Sequence, residues 1–352
     1  MIVVIPTNRS IDLAALSPLI ESGARFIVVD DSEGSITLDH PSFEVHTWAD
    51  RRKRLGALDV AIPKRNGACR DFGFLVAWQE SDDDEIIVAL DDDCFVYHED
   101  FGEQVEAALS TTPRPVARTH GRHLNILALY RDVSEALYPR GFPYSARAGD
   151  TRVSIDAAEA HDVKFSLGLW KGAFDVNAVD KVNGPEWQHP DAALAHDSVV
   201  IGDGHLISVC SMNMQFRREV LPAAYQLPMH IAAMPNWVID RYGDIWGGFI
   251  LKMLMDKRGD AMAVGEPMIR HLKAGDHQRN IWQEHVCHLV NDEFIELMLA
   301  ASDPITPTSY VEMMAELGEN VRRLRAGCSP LLGTYVDHLT TALAAWTTAL
   351  RK

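Results

Sequence analysis

The chain has 352 residues, of which 47% are hydrophobic and 24% are charged, so it is long enough for one large or two ordinary domains. This composition excludes a disordered chain, a collagen and a small disulfide-stabilised scaffold. Lys and Arg number 33 against 50 Asp and Glu, and the net charge of −17 repels nucleic-acid backbones and anionic membranes.

The first hundred residues alternate short apolar segments with acidic or polar stops. Residues 2–5 and 24–29 are predicted strands separated by a helix, and residues 67–78 form a further predicted helix. A buried strand at residues 86–90 then runs directly into Asp91-Asp92-Asp93. Because open α/β sheets bind ligands at the carboxyl ends of their strands, this pattern predicts an α/β fold whose N-terminal half binds a nucleotide.

Residues 111–195 are rich in Gly, Pro and aromatic residues, a composition that suits substrate loops and plain connectors equally. The composition then shifts to helix formers beyond residue 303, where Ser309 and Glu312 form a capping-box signature. Ser329-Pro330 supplies an N-cap and an N1 proline for a last helix with one apolar face. We therefore predict a domain at residues 1–300 and a helical extension at residues 301–352, packed on that domain or on a second subunit.

The three consecutive aspartates carry the strongest chemical signal. Asp91 and Asp93 are two residues apart and can project to the same side, whereas Asp92 points elsewhere. Adjacent carboxylates repel one another unless a cation or solvent screens them, and Mn²⁺ or Mg²⁺ favours such oxygen ligands. A solvated turn is the alternative, and the position after a buried strand favours the metal.

Basic residues near these acids are weaker candidates. His271 follows a short predicted strand and could complete the metal coordination, with Lys273 or Arg270 meeting a diphosphate, although a lone histidine is more often a core or surface residue. Arg65 and Arg70 flank Gly67 ahead of a helix, which suits an anion cradle as well as an ordinary helix surface.

Several common site motifs are absent from the sequence. No GxGxxG follows the first strand, and neither GxxxxGK[ST] nor GxSxG occurs, so nicotinamide, flavin, P-loop and serine-hydrolase chemistry are unsupported. The five cysteines lack CxxC spacing, which favours reduced thiols in a cytoplasmic protein. We find no secretion signal and no apolar run long enough for membrane insertion.

Nine segments, in order, resemble the reversibly glycosylated polypeptide family, whose plant members act as UDP-arabinopyranose mutases. They are VVIPTNR (3–9), IVVDD (27–31), ACRDFGF (68–74), DDDCFV (91–96), RGFPYSARAG (140–149), GLW (168–170), CSMNMQF (210–216), RYGDIWGGF (241–249) and NIWQE (280–284). The resemblance implies a glycosyltransferase-A-like fold with a mostly parallel central sheet. It also implies a UDP-sugar substrate, Mn²⁺ or Mg²⁺, and a non-redox interconversion of pyranose and furanose rings.

The resemblance also implies roles for individual residues. Arg147 falls on the family's reversibly glycosylated arginine, and Asp244 falls in the acidic motif facing the sugar, where the family's paired acids are Gly243-Asp244 here. These two are the predicted catalytic residues, and Asp91, Asp93 and His271 are the predicted metal ligands. The predicted nucleotide-sugar-binding residues are Thr7, Arg9, Asp30, Arg70, Asp92, Trp170, Asn213, Trp246 and Lys273.

Two other functions stay open at this point. A glycosyltransferase could use the same donor site to glycosylate a small molecule or a protein. A non-catalytic partner subunit could retain the fold for assembly, although three mutually repelling acids argue against a retired site. In each case we expect a homo-oligomer that binds neither nucleic acid nor the membrane interior.

Overall fold

A computed structural model describes residues 1–184, 186–272 and 276–352 of the chain. The fold is built on one large sheet. The strands are β1 (Ile2–Thr7), β2 (Arg25–Asp30), β3 (Phe43–His46), β4 (Ile86–Leu90), β5 (Cys94–Phe95), β6 (Arg114–Thr119), β7 (Val153–Glu159), β8 (Val163–Ala173), β9 (Gln188–His189), β10 (Ser198–Ile201), β11 (Asn213–Arg217), β12 (Ile231–Met234), β13 (Trp237–Ile239) and β14 (Ala261–His271). The helices are α1 (Ser17–Glu21), α2 (Trp48–Leu55), α3 (Asp71–Glu80), α4 (Phe101–Ala108), α5 (Ala178–Asn183), α6 (Gly243–Arg258), α7 (His277–Ser302), α8 (Tyr310–Leu324) and α9 (Pro330–Leu350).

The sheet has the strand order β3-β2-β1-β4-β11-β8-β14-β10-β6-β7, with β5 and β9 attached to β14 and β8. The first four strands are parallel, and β4 then pairs antiparallel with β11. Along this path, within the described residues, five of nine neighbouring pairs are parallel. The predicted α/β class with a mostly parallel central sheet is thus confirmed.

The parallel half forms because its strands are apolar on both faces. Every residue of β1 and of β4 is buried, as parallel strands covered by helices require. Helix α3 approaches the sheet closely at Gly73, where a Cβ atom would lie 2.5 Å from Cγ1 of Val4. In the parallel register Thr7 lies beside Asp30, so β1 and β2 end at the same edge of the sheet.

The C-terminal helices begin where the sequence predicts. The Ser309 side chain accepts a hydrogen bond from the Glu312 amide, and Ser329 does the same for Leu332. The predicted apolar face of α9 is buried, and it packs on the sheet domain. Trp346 Nε1 donates to the Pro222 carbonyl at 3.0 Å, and Trp78 Nε1 of α3 donates to the Leu350 carbonyl at 2.9 Å.

None of the helices in the described parts of the chain combines the length and the apolar character that crossing a bilayer requires.

Candidate active site

The carboxyl ends of β1, β2 and β4 meet at a cleft of about 340 Å³. Its walls carry the residues that directly follow or end these strands, together with a loop ahead of α3. The lining residues are Pro6, Thr7, Asn8, Arg9, Asp31, Arg65, Asn66, Gly67, Cys69, Asp91, Asp92 and Asp93. The sheet edge therefore gathers the three aspartates predicted from the sequence with two of their predicted neighbours, as the ends of parallel strands should.

Arg9 and Thr7 hold Asp92 at this edge. The hydroxyl of Thr7 lies 2.7 Å from Asp92 Oδ2, and the Arg9 guanidinium donates to Asp92 Oδ1. Arg9 Nη2 also lies 3.4 Å from Asp93 Oδ2, and the hydrogen bond to Asp92 raises the pKa of Arg9. We call Thr7, Arg9 and Asp91 to Asp93 the acidic edge. The half-exposed arginine offsets part of the repulsion between its carboxylates.

Asp91 has a different partner. Arg70 is fully buried, forms an ion pair with Asp91 Oδ1, and donates to the Ser211 carbonyl at 3.0 Å. A buried arginine fixed by backbone carbonyls positions the carboxylate it contacts, because neither group can rotate away without leaving a charge unpaired. Arg70 thus sets the direction of Asp91.

His271 faces Asp93 as a metal ligand would. Its Nε2 lies 3.8 Å from Asp93 Oδ2, and its Nδ1 lies 2.6 Å from the Ala173 carbonyl oxygen. A carbonyl acceptor places the proton on Nδ1 and leaves the Nε2 lone pair directed toward the acid. Asp93 and His271 therefore fit a shared hard cation such as Mn²⁺ or Mg²⁺, whereas one oxygen of Asp91 is engaged by Arg70.

The two acids at the carboxyl end of β2, Asp30 and Asp31, have different roles. Asp30 is fully buried and accepts from the Ser32 amide at 2.7 Å and the Ile36 amide at 3.3 Å, so it fixes the turn that leaves the strand. Asp31 lines the cleft and accepts from Trp48 Nε1 at 2.7 Å and the Asn66 amide at 2.9 Å. The structure therefore places Asp31 on the cleft wall and Asp30 behind it.

A second cleft of about 280 Å³ continues from the first, and both are lined by Arg65, Asn66, Gly67 and Asp91. Its far walls come from the loops ahead of β11 and β12, from the segment between β13 and α6, from the start of α6 and from α7. They carry Arg70, Arg140, Ser211, Gln226, Met229, Asp240, Arg241, Gly243, Asp244 and Gln283, together with Ala68. Asp91 thus lies where the two clefts meet.

A buried arginine organises the second cleft. Arg140 Nη2 lies 2.6 Å from Asp244 Oδ2, and its Nε lies 2.9 Å from Asp175 Oδ2, with all three side chains nearly enclosed. Burial favours the neutral acid, but the charge of Arg140 outweighs it and lowers the pKa of Asp175 to about 2. We call these three residues the Arg140 network. It keeps Asp244 paired with a cation at the cleft wall.

Cys210 lies beside this network. Its sulfur and one oxygen each of Asp175 and Asp244 lie within 4.8 Å of one another, a spacing that could hold a metal. Burial and the two neighbouring carboxylates raise the pKa of the Cys210 thiol well above its ordinary value. A protonated thiol is a poor metal ligand, and Arg140 already forms an ion pair with each acid, so this cluster is better explained as an ion-paired support.

Arg147, the predicted glycosylated residue, lies in a 3-10 turn at Ser145–Ala148. Its Nη2 pairs with Asp180 Oδ2 at 2.9 Å, and its guanidinium carbon lies 4.7 Å and 4.3 Å from the ring centroids of Tyr138 and Tyr144. It belongs to neither set of cleft-lining residues. The carboxylate that contacts Arg147 is therefore Asp180, while Asp244 is paired with Arg140.

Three other predicted binding residues lie in the interior. Trp246 donates from Nε1 to Asn291 at 2.8 Å, and Asn213 donates from Nδ2 to the Pro267 carbonyl at 2.8 Å. Trp170 on β8 is 1% exposed, and its amide donates to the Tyr130 hydroxyl at 3.0 Å. These three side chains line neither cleft, and Lys273 lies outside the described residues.

Sequence inspection missed part of this site. Asp31 and Arg140 stood inside segments that had been singled out, IVVDD and RGFPYSARAG, so a signal for them existed. Asp175, Gln226 and Asp240 are brought in by the fold, and no motif marked them.

Comparison with known proteins gives one family and several relatives. The sequence profile of the family described as reversibly glycosylated polypeptide matches residues 1–351. UDP-arabinopyranose mutase 3 of Arabidopsis thaliana is 28% identical over 98% of this chain and 90% of its own length. Probable UDP-arabinopyranose mutase 2 of Solanum tuberosum is 27% identical over 98% of this chain and 89% of its length. The structure of glucosyl-3-phosphoglycerate synthase from Mycobacterium tuberculosis, in complex with Mn²⁺, UDP and phosphoglyceric acid, is 15% identical and covers 84% of this chain and 78% of its own, with a TM-score of 0.40.

Proposed function

This chain belongs to the reversibly glycosylated polypeptide family, and on that premise we propose that it is a metal-dependent, non-redox mutase that interconverts the pyranose and furanose forms of a UDP-sugar. The observation that carries the proposal is the acidic edge at the carboxyl ends of the parallel strands, with His271 facing Asp93. Relatives named UDP-arabinopyranose mutases align with 98% of the chain, which supports the same reaction class.

We assign the first cleft to the nucleotide diphosphate. Asp93 and His271 would hold Mn²⁺ or Mg²⁺, which when bound stabilises negative charge on the departing diphosphate. Arg70 keeps Asp91 oriented, and Arg9 can exchange its contacts with Asp92 for a phosphate oxygen because its side chain is half-exposed. The cation and Arg9 together would supply local positive charge at a cleft of a chain whose net charge of −17 otherwise repels such a ligand.

The second cleft would face the sugar. Positive charge develops on the sugar carbon when its bond to the diphosphate breaks, and Asp244 at the cleft wall would stabilise that charge. The Arg140 network holds this carboxylate in one orientation. If Arg147 carries the sugar, Asp180 at 2.9 Å is the carboxylate placed to accept the proton that its guanidinium must lose.

Product analysis tests the proposal. Purified protein is incubated with UDP-arabinopyranose and Mn²⁺ or Mg²⁺, and chromatography follows the appearance of UDP-arabinofuranose. We expect product with metal, none with chelator, and at least about tenfold less with Asp93→Asn. Absence of a furanose product from every UDP-pentose and UDP-hexose tried refutes the mutase.

A glycosyltransferase is the second candidate, and the environment of Arg147 favours it. A residue that is paired with Asp180, stacked on two tyrosines and absent from both cleft walls has the contacts of a structural arginine. A transferase would not need this residue to react. A stable glycoside on an added acceptor, formed equally well by Arg147→Ala, would establish transfer, and a furanose product that disappears in Arg147→Ala would exclude it.

A further inference from the structure

We propose that the second cleft binds the uncharged ring of the sugar, and that Asp240 and Gln226 recognise its hydroxyl groups. This inference rests on the proposed binding of a UDP-sugar, and it concerns two residues to which no sequence motif assigns a role. At about 280 Å³ the cleft is slightly smaller than the range typical of drug-sized ligands, so it suits one ring. Asp91, shared by both clefts, places that ring next to the diphosphate.

The charges of the cleft argue for an uncharged ring. Its four arginines each have a carboxylate partner, and in three of these pairs at least one partner is enclosed, so their charge is already offset; only Arg65, among these four, pairs at the exposed rim. The pairs are Arg65 with Glu33, Arg70 with Asp91, Arg140 with Asp244, and Arg241 with Glu284. A further carboxylate on the ring would find no unpaired arginine among these and would lie near Asp240, whereas hydroxyl groups need hydrogen-bond donors and acceptors alone.

Asp240 is built as an acceptor. It is 5% exposed, and its carboxylate receives the Arg241 amide at 2.8 Å and Gln283 Nε2 at 3.1 Å, with His230 Nδ1 at 3.3 Å. A carboxylate has about four acceptor positions, and these three contacts leave room for a ligand hydroxyl. The interaction of such a hydroxyl with an ionised, enclosed acceptor is stronger than one with a neutral group.

Backbone strain marks the same place. Arg241 has φ of 66° and His230 has φ of 62°, a left-handed conformation that is uncommon for residues other than glycine. The two residues flank the hairpin formed by β12 and β13, and Asp240 lies at its base. Strain of this kind persists where the surrounding structure enforces it, and it is concentrated at ligand sites.

Gln226 is a second group with hydrogen-bonding capacity. Gln226 is 4% exposed and lines the cleft, and its side-chain Nε2 has no hydrogen-bond partner among the described residues. The backbone amide of Gln226 donates to Asp71 Oδ1 at 3.1 Å, which fixes the residue in position. A buried amide that lacks a partner costs stability, and a ligand oxygen would remove that cost.

Binding measurements separate this inference from the proposed function. With Mn²⁺ present, calorimetry gives the Kd of UDP and of UDP-arabinopyranose for the wild type, Asp240→Asn and Gln226→Leu. We expect the ratio of the UDP-sugar Kd to the UDP Kd to rise at least about fivefold in each variant, while UDP itself binds within about twofold of the wild type. Gln104→Leu, on α4 outside both clefts, should leave the ratio unchanged.

A second pair of ligands tests the charge of the ring. UDP-glucose and UDP-glucuronate differ in one group, CH₂OH against a carboxylate. We expect the wild type to bind UDP-glucuronate at least about tenfold more weakly, and Asp240→Asn to narrow that difference. The inference is overturned if the ratio of the UDP-arabinopyranose Kd to the UDP Kd is the same in the wild type and in either folded variant. Tighter binding of UDP-glucuronate than of UDP-glucose by the wild type overturns it as well. Failure of the wild type to bind UDP at all overturns the proposed function, and this inference with it.

Discussion

The acidic edge and the Arg140 network are both clusters of charge, yet they are stabilised in different ways. The acidic edge packs three consecutive aspartates against a half-exposed arginine, at the wall of a cleft that is open to solvent. The Arg140 network encloses one arginine and two aspartates that come from separate parts of the chain. Charges near water can change partners at little cost, whereas enclosed ones cannot. The first region is therefore suited to binding and the second to positioning.

Removal of Arg140 should show the difference in stability between the two clusters most clearly. Arg140→Met leaves Asp175 and Asp244 buried without their cation, and we expect the free energy of unfolding to fall by about 3–5 kcal/mol. Arg9→Gln at the acidic edge is the matched change, and it should alter stability by less than about 1 kcal/mol because that arginine is half-exposed. Urea denaturation followed by circular dichroism measures both values. Equal losses in the two variants would show that the Arg140 network is no more a structural unit than the acidic edge.

Loss of the histidine that faces Asp93 should weaken metal binding. His271→Ala removes the nitrogen that faces Asp93, and we expect Mn²⁺ affinity in the presence of UDP to fall at least about tenfold. His338→Ala, on the exposed side of α9, is the control and should bind the metal as the wild type does. Electron paramagnetic resonance of free Mn²⁺ reports the affinity. An unchanged affinity in His271→Ala would remove this residue from the metal site.

The smallest expected effect is the pH dependence of stability that comes from a buried histidine outside both charge clusters. Burial lowers the pKa of His288 to about 4, and its Nδ1 lies 2.8 Å from the Tyr242 hydroxyl. The charged or titratable groups that face its ring are Glu284 and His285 of α7, Asp180 of α5, and Arg140 and Arg147 of the preceding loops. Because the unfolded chain takes up this proton near pH 6.5 and the folded one near pH 4, the unfolded state binds more protons between these values. Stability therefore falls as the pH falls through this window.

From His288 alone we expect the free energy of unfolding to be about 1 kcal/mol lower at pH 5.5 than at pH 7. Burial lowers the pKa of His123 to about 4 as well, so His288→Gln should remove roughly half of the slope that these two histidines contribute together. Asp175, with a pKa of about 2, stays ionised throughout this window. Denaturation at several pH values measures the difference, and an unaltered slope in His288→Gln would contradict the assignment.

The acidic edge could be predicted because its signal is local in the chain. A buried strand followed at once by Asp91-Asp92-Asp93 defines both the place and the chemistry, and parallel pairing brings Thr7 to the same edge. The helix caps at Ser309 and Ser329 were predictable for the same reason, since a cap needs three or four consecutive residues. Short-range patterns therefore gave the architecture and one side of the site.

The Arg140 network could not be predicted, because its members are far apart in the chain. Asp175 follows β8, Asp244 lies in the first turn of α6, and Arg140 belongs to an irregular loop. A motif marks Asp244 as a catalytic candidate, but no pattern in the sequence links it to Arg140 or Asp175 until the fold brings them together. Similarly, Trp170 and Trp246 belong to conspicuous motifs, and the structure shows their side chains packed in the interior. A motif can reflect packing as readily as ligand contact.

The contact between Trp78 and the Leu350 carbonyl has a consequence for biosynthesis. Helix α3, which covers the parallel strands, docks against α9, and the two contacting residues are 272 positions apart in the chain. The surface of α3 that faces α9 can therefore be covered only after α9 has been synthesised and has left the exit tunnel. During that interval the nascent chain exposes apolar surface of the kind that chaperones shield.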